Sequence, residues 1–108
     1  MENNYNNKLQ IEANIVKELK TIFDPEIPVN IYELGLIYEI NVSDDFNVNI
    51  VMTLTTPNCP VADELPIEVE TKIKNIEGIK DVDVKLVFDP PWDQNMLSEE
   101  AKLDLGLL

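Results

Sequence analysis

Leu36-Ile37-Tyr38-Glu39-Ile40-Asn41-Val42, Ser43-Asp44-Asp45 and Phe46-Asn47-Val48-Asn49-Ile50-Val51-Met52-Thr53-Leu54 decide the fold. In the first run Leu36, Tyr38, Ile40 and Val42 alternate with Ile37, Glu39 and Asn41, a period of two that marks a strand. The last run repeats the code: Val48, Ile50, Met52 and Leu54 point one way, Asn47, Asn49 and Thr53 the other. Ser-Asp-Asp between them favours a turn, so the pair reads as a hairpin. One face is apolar and the other mixed, which calls for helices on one side only.

Working outward, the first helix is expected over Lys8–Phe23. Ile11, Ile15, Leu19 and Ile22 recur at spacings of four, four and three, and Val16 and Phe23 widen that stripe. Residues 1–7 are Asn-rich and polar and are expected to be a disordered N-terminus, leaving 8–108 as a single domain. Pro25 disfavours helical geometry at Asp24 and ends the helix there. Asp24-Pro25-Glu26-Ile27-Pro28-Val29-Asn30 is then a stiff loop leading to the first strand.

After the hairpin a second helix is expected over Pro60–Ile76, with Val61, Leu65, Val69, Ile73 and Ile76 buried and Gly78 behind it as a cap. Proline suits a first helical position, as at Pro60, whereas Pro66 removes a backbone donor and could kink the helix. A third strand, Val82–Phe88, faces Val82, Val84, Leu86 and Phe88 inward. The helical crossover makes strands two and three parallel, and strand one is placed between them. Pro90-Pro91 ends the strand, and Ser98 caps a last helix with Glu99 and Glu100 in its first turn. The reading is an α+β two-layer sandwich in α-β-β-α-β-α order, with a small mixed three-stranded sheet and helices packed on one face.

The charge narrows the function classes. Eight Lys+Arg against 21 Asp+Glu give −13 over 108 residues. So acidic a surface repels phosphate backbones and anionic membranes, which argues against nucleic acid and lipid as partners. It attracts basic surfaces and cations, or serves solubility alone. The start, Met1-Glu2-Asn3-Asn4, has no basic stretch followed by an apolar run, so the expectation is a cytoplasmic protein.

Chemistry concentrates at Thr55-Thr56-Pro57-Asn58-Cys59-Pro60, which holds the one cysteine in a chain without histidine. A thiol at the start of a helix has its thiolate stabilised by the helix dipole. Thr55 and Thr56 offer hydroxyls nearby, and Pro57 and Pro60 stiffen the loop. A free cysteine is most often a small buried hydrophobe; position alone divides the two readings evenly, and the flanking Thr-Thr-Pro and Pro favour the functional one. A closed zinc site needs four Cys or His ligands and an iron–sulfur cluster usually four thiolates, so one chain cannot hold either alone. Carboxylates available to supplement the thiol are Asp24, Glu26, Glu33, Asp63 and Glu64. A protease-type thiol needs a histidine, and three glycines leave no room for a phosphate loop. Trp92, between Pro91 and Asp93, is either a partner contact or a lid on the core under the last helix.

Three separated stretches resemble one known family. Asp24-Pro25-Glu26-Ile27-Pro28-Val29-Asn30-Ile31-Tyr32-Glu33-Leu34-Gly35-Leu36-Ile37-Tyr38 resembles its opening signature. Thr53-Leu54-Thr55-Thr56-Pro57-Asn58-Cys59-Pro60 resembles its cysteine motif. Pro90-Pro91-Trp92 followed by Met96-Leu97-Ser98-Glu99-Glu100-Ala101 and Leu105-Gly106 resembles its C-terminal signature. The family is the metal–sulfur cluster biosynthesis domain typified by SufT and PaaD, related to the N-terminal domain of Mrp/ApbC cluster-carrier ATPases.

The resemblance implies an accessory factor in iron–sulfur cluster assembly or delivery to apo-proteins, in the manner of the SUF system. It would act as an adaptor or transient carrier rather than an enzyme. It implies Cys59 as the ligand candidate, supported by Asp24, Glu26, Glu33, Thr55 and Thr56, and a cluster held only transiently or shared. Glu33 stands where many members have aspartate. Partners implied are assembly scaffolds, carriers and apo-protein clients; a homodimer pairing two Cys59 thiols would suit a bridging cluster. The competing readings are a thiol-dependent redox enzyme and a purely structural interaction module.

Overall fold

A computed structural model of the chain describes residues 4–24, 27–55 and 64–106. Its elements are α1 (Asn4–Leu19), β1 (Ile37–Val42), β2 (Asn47–Met52), α2 (Glu64–Lys74), β3 (Asp81–Leu86), a single 3-10 turn (Gln94–Met96) and α3 (Glu99–Asp104). The α-β-β-α-β-α order and the mixed sheet match the sequence reading.

Helix α1 starts earlier and ends sooner than its pattern suggests. Ile11, Ile15 and Leu19 are buried along one face, and Ile22 joins them from the turn that follows. Phe23, expected to widen that stripe, is 57% exposed. The helix has already ended, and Phe23 pairs in an extended bridge with Asn30 instead. Helix α2 buries Leu65, Val69 and Ile73. Pro66 is the third residue of the described span, and the helix continues unbroken past it to Lys74. The expected start at Pro60 and the burial of Val61 fall outside the described residues.

Strand order is β1-β2-β3, with β1–β2 antiparallel and β2–β3 parallel. The expectation that strand one lies centrally is therefore wrong. Burial gives the physical reason: Val48, Ile50 and Met52 of β2 are buried, whereas Ile37 and Ile40 of β1 and Val84 and Leu86 of β3 are only partly covered. The strand with the strongest apolar face takes the centre, where both of its edges are paired.

A bulge corrects a second expectation. Ile37 pairs with Met52 and Glu39 with Val51, leaving Tyr38 as the extra residue. The alternation slips there. Ile37 shares the core face with Met52, while Tyr38 joins Glu39 on the outer face, the reverse of the simple pattern. Bulges favour edge strands, where a local break disturbs one ladder only. Phe88, expected inward, lies beyond the end of β3 and is exposed.

The C-terminal segment closes the molecule. Ser98 caps α3, its hydroxyl accepting from the Ala101 N–H at 3.0 Å. Leu97 and Ala101 enter the core. Gly35, at φ +82°, passes so close to the Met96 carbonyl that a Cβ there would collide with it. Both the left-handed backbone and the close approach call for glycine.

Candidate functional site

Because β1 runs opposite to β2 and β3, the start of β1 lies beside the ends of the other two. Ile37 is paired with Met52, and Met52 with Leu86. The Thr53 N–H donates to the Leu36 carbonyl at 2.9 Å, and the Val87 N–H to the Met52 carbonyl at 2.8 Å. The loop before β1, the segment leaving β2 and the segment leaving β3 therefore gather at one end of the sheet. Each of these carries one of the three sequence signatures.

In the opening loop Asp24 is buried, at 8% exposure. Its carboxylate accepts from the Ile27 N–H at 3.0 Å, and its own N–H donates to the Val29 carbonyl at 3.3 Å. Asp24 thus shapes the loop it belongs to. The following turn is held by Asn30, whose side-chain oxygen accepts from the Glu33 N–H at 2.9 Å. Glu33 is largely covered, with the Lys20 ammonium 3.6 Å from its carboxylate. The same ammonium lies 5.5 Å from the centre of the Tyr32 ring, within cation–π range. Glu33 is therefore anchored by a lysine just past the end of the first helix.

The C-terminal signature lies directly on this loop. The Trp92 indole N–H donates to the Leu34 carbonyl at 2.7 Å, and the Ser98 N–H to the Glu33 carbonyl at 2.9 Å. The Tyr38 hydroxyl donates to the Pro90 carbonyl at 2.7 Å and lies 3.6 Å from the Met96 sulfur. Burial pushes the Tyr38 phenol above its ordinary pKa, with the nearby Thr53 hydroxyl pulling the other way and the Asp89 charge adding to the rise. The phenol therefore stays protonated as a donor at neutral pH. Trp92 is partly buried against the core, as the lid reading expects.

Thr53 is the residue the pattern missed. Its position on the outer face reads as solvent-exposed, yet it is fully buried. Its hydroxyl makes no well-aligned hydrogen bond, although it is near enough to Tyr38 to affect that phenol. The tandem prolines and Trp92 were the available signal that the chain folds back here. Thr55, half-buried, is the last described residue on this side of the cysteine motif. Glu26, Thr56 and Cys59 lie outside the described residues. Among the described residues, no group of three or more Cys, Asp or Glu is placed to hold a metal ion, and no helix is long and apolar enough to cross a membrane.

A groove of about 190 Å³ separates Phe23 and residues 28–33 from α3. Phe23, Val29 and Ala101 line it together with the carboxylates of Glu33, Glu100 and Asp104.

A three-stranded mixed sheet, with the described residues of all three signatures at one end and one thiol in the sequence of the second, defines a small α+β domain. The chain belongs to the iron–sulfur cluster assembly protein family, whose model matches residues 12–86. It is 50% identical over 103 residues to an Fe-S protein maturation auxiliary factor of Porphyromonas gingivalis, covering 95% of this chain and 98% of that one. It is 38% identical over 86 residues to the Fe-S protein maturation auxiliary factor SufT of Staphylococcus aureus, covering 80% of this chain and 98% of that one. A crystal structure of a domain of unknown function from Bacillus anthracis superposes with a TM-score of 0.83 at 31% identity, covering 92% of this chain and 94% of that chain.

Proposed function

We propose that this protein is an auxiliary factor in iron–sulfur cluster assembly or in cluster delivery to apo-proteins, acting as an adaptor or transient carrier with no turnover of its own. The observation that carries the reading is near full-length likeness to Fe-S protein maturation auxiliary factors, in a chain whose described signature residues gather at one sheet end. The cluster is cargo, not a resident group. Cys59 supplies the thiolate that docks it or contacts the protein that holds it. Asp24 shapes the opening loop, Glu26 belongs to the same acidic signature in sequence, Glu33 presents its carboxylate from the same end of the sheet, and Thr55 and Thr56 precede the cysteine in sequence. The surface left by Trp92 is offered to a scaffold, carrier or client. One thiol and no histidine is a poor donor set for a permanent cluster and a reasonable one for a handover.

Complementation tests it. The gene is deleted in its own host and aconitase is assayed under iron limitation, with wild type or Cys59→Ala restored at equal protein level. Rescue by wild type and failure of Cys59→Ala is the expected result. Full aconitase activity in the deletion strain overturns the assembly role. Rescue by both proteins removes the thiol from it.

A further inference from the structure

The groove between α3 and the wall formed by Phe23 and residues 28–33 combines features that the fold alone does not require. One wall is Phe23, 57% exposed, beside the opening loop. Val29 and Ala101 supply further apolar lining. Glu100 and Asp104 stand one turn apart on the same face of α3, and no described cation pairs with either. Glu33, across the groove, already has Lys20. Asp104 is the last residue of α3, where the helix dipole disfavours a carboxylate. Helix stability therefore does not account for it. The volume, about 190 Å³, would hold roughly six waters, the scale of one long side chain.

We propose that this groove docks a protein segment carrying an arginine or lysine beside an apolar residue. The cation meets Glu100 and Asp104, while its stem and the apolar neighbour cover Phe23, Val29 and Ala101. Arginine is favoured, because a guanidinium stacks on an aromatic face and bonds carboxylates in one geometry. The net charge of −13 steers such a segment inward. The inference deepens the assembly reading by giving the chemistry of the partner, and rests on it for that partner's role.

The probe is the acetylated pentapeptide Gly-Leu-Arg-Leu-Gly titrated into the ¹⁵N-labelled full chain, with amide shifts read by NMR. Saturable shifts confined to residues 23, 28–33 and 100–104 are expected. Citrulline or glutamate in place of arginine should abolish them. Glu100→Gln with Asp104→Asn should weaken binding about tenfold or more, as loss of a close charge pair does. Phe23→Ser, at an exposed position, should weaken it as well. Glu70→Gln with Glu77→Gln removes the same charge elsewhere and should change affinity less than about twofold. Shifts spread over the whole acidic surface, equal loss in the Glu70/Glu77 control, or the same pattern from spermidine would each overturn the inference. These readouts use purified protein without a cluster. A failed complementation therefore leaves the binding result standing, and absent binding leaves the assembly role standing.

Discussion

Gly35→Ala tests how the C-terminal segment is held. Gly35 has φ +82°, and an added Cβ meets the Met96 carbonyl. An alanine in the left-handed region costs roughly 1–2 kcal/mol. Relieving the collision moves the segment that carries the Trp92–Leu34 and Ser98–Glu33 hydrogen bonds, each worth about 1 kcal/mol net. The total is about 3–4 kcal/mol, a large share of the ~5–15 kcal/mol of a typical domain. Gly106 provides the internal comparison. Its φ is +76°, but nothing lies within 4 Å of its added Cβ. Gly106→Ala should therefore show the backbone strain alone, roughly 1–2 kcal/mol. Urea unfolding followed by Trp92 fluorescence and by circular dichroism measures both variants. Gly35→Ala should lose about 2 kcal/mol more than Gly106→Ala and shift the native fluorescence of Trp92. Equal losses, within about 0.5 kcal/mol, would refute the close approach.

Thr53→Val exchanges a buried, poorly bonded hydroxyl for a methyl of similar shape, so stability should hold or rise by about 1 kcal/mol; a fall in the urea midpoint would show that the hydroxyl has a real partner. Tyr38 holds its proton more tightly folded than unfolded. Its contribution is therefore fully present below about pH 10, the unfolded value, and is lost as pH rises through the folded pKa. Tyr38→Phe should flatten the alkaline decline in unfolding free energy, and an unchanged slope would assign that decline to other groups.

The hairpin was legible because its apolar period of two is regular over most of two strands. The parallel pairing of β2 and β3 followed from the helix that must connect them. Which strand lies centrally was not, because alternation says which face is buried and nothing about which edge is paired. Tyr38 was misassigned because a single bulged residue reverses the phase, and the residue type does not announce it. Thr53 and Phe23 were misread in opposite directions. Phe23 is exposed because the helix ends before it and it bridges Asn30 instead, whereas the burial of Thr53 depends on contacts that its own segment does not announce. The acidic groove was invisible for the same reason, since Phe23 and Asp104 meet only in three dimensions. The three signatures were legible as a set, and the fold explains their separation by bringing them to a common end.

The family match spans residues 12–86, yet the indole of Trp92 covers the Leu34 carbonyl and Leu97 and Ala101 sit in the core. The stretch that the family model matches is therefore shorter than the unit that folds. A fragment cut after β3 would keep the matched stretch while losing the third signature, stripping the donor from Leu34 and uncovering apolar surface. It should be handled as a damaged protein rather than a minimal domain. Tags are better carried at the Asp44–Asp45 turn, at the opposite end of the sheet from the three loops.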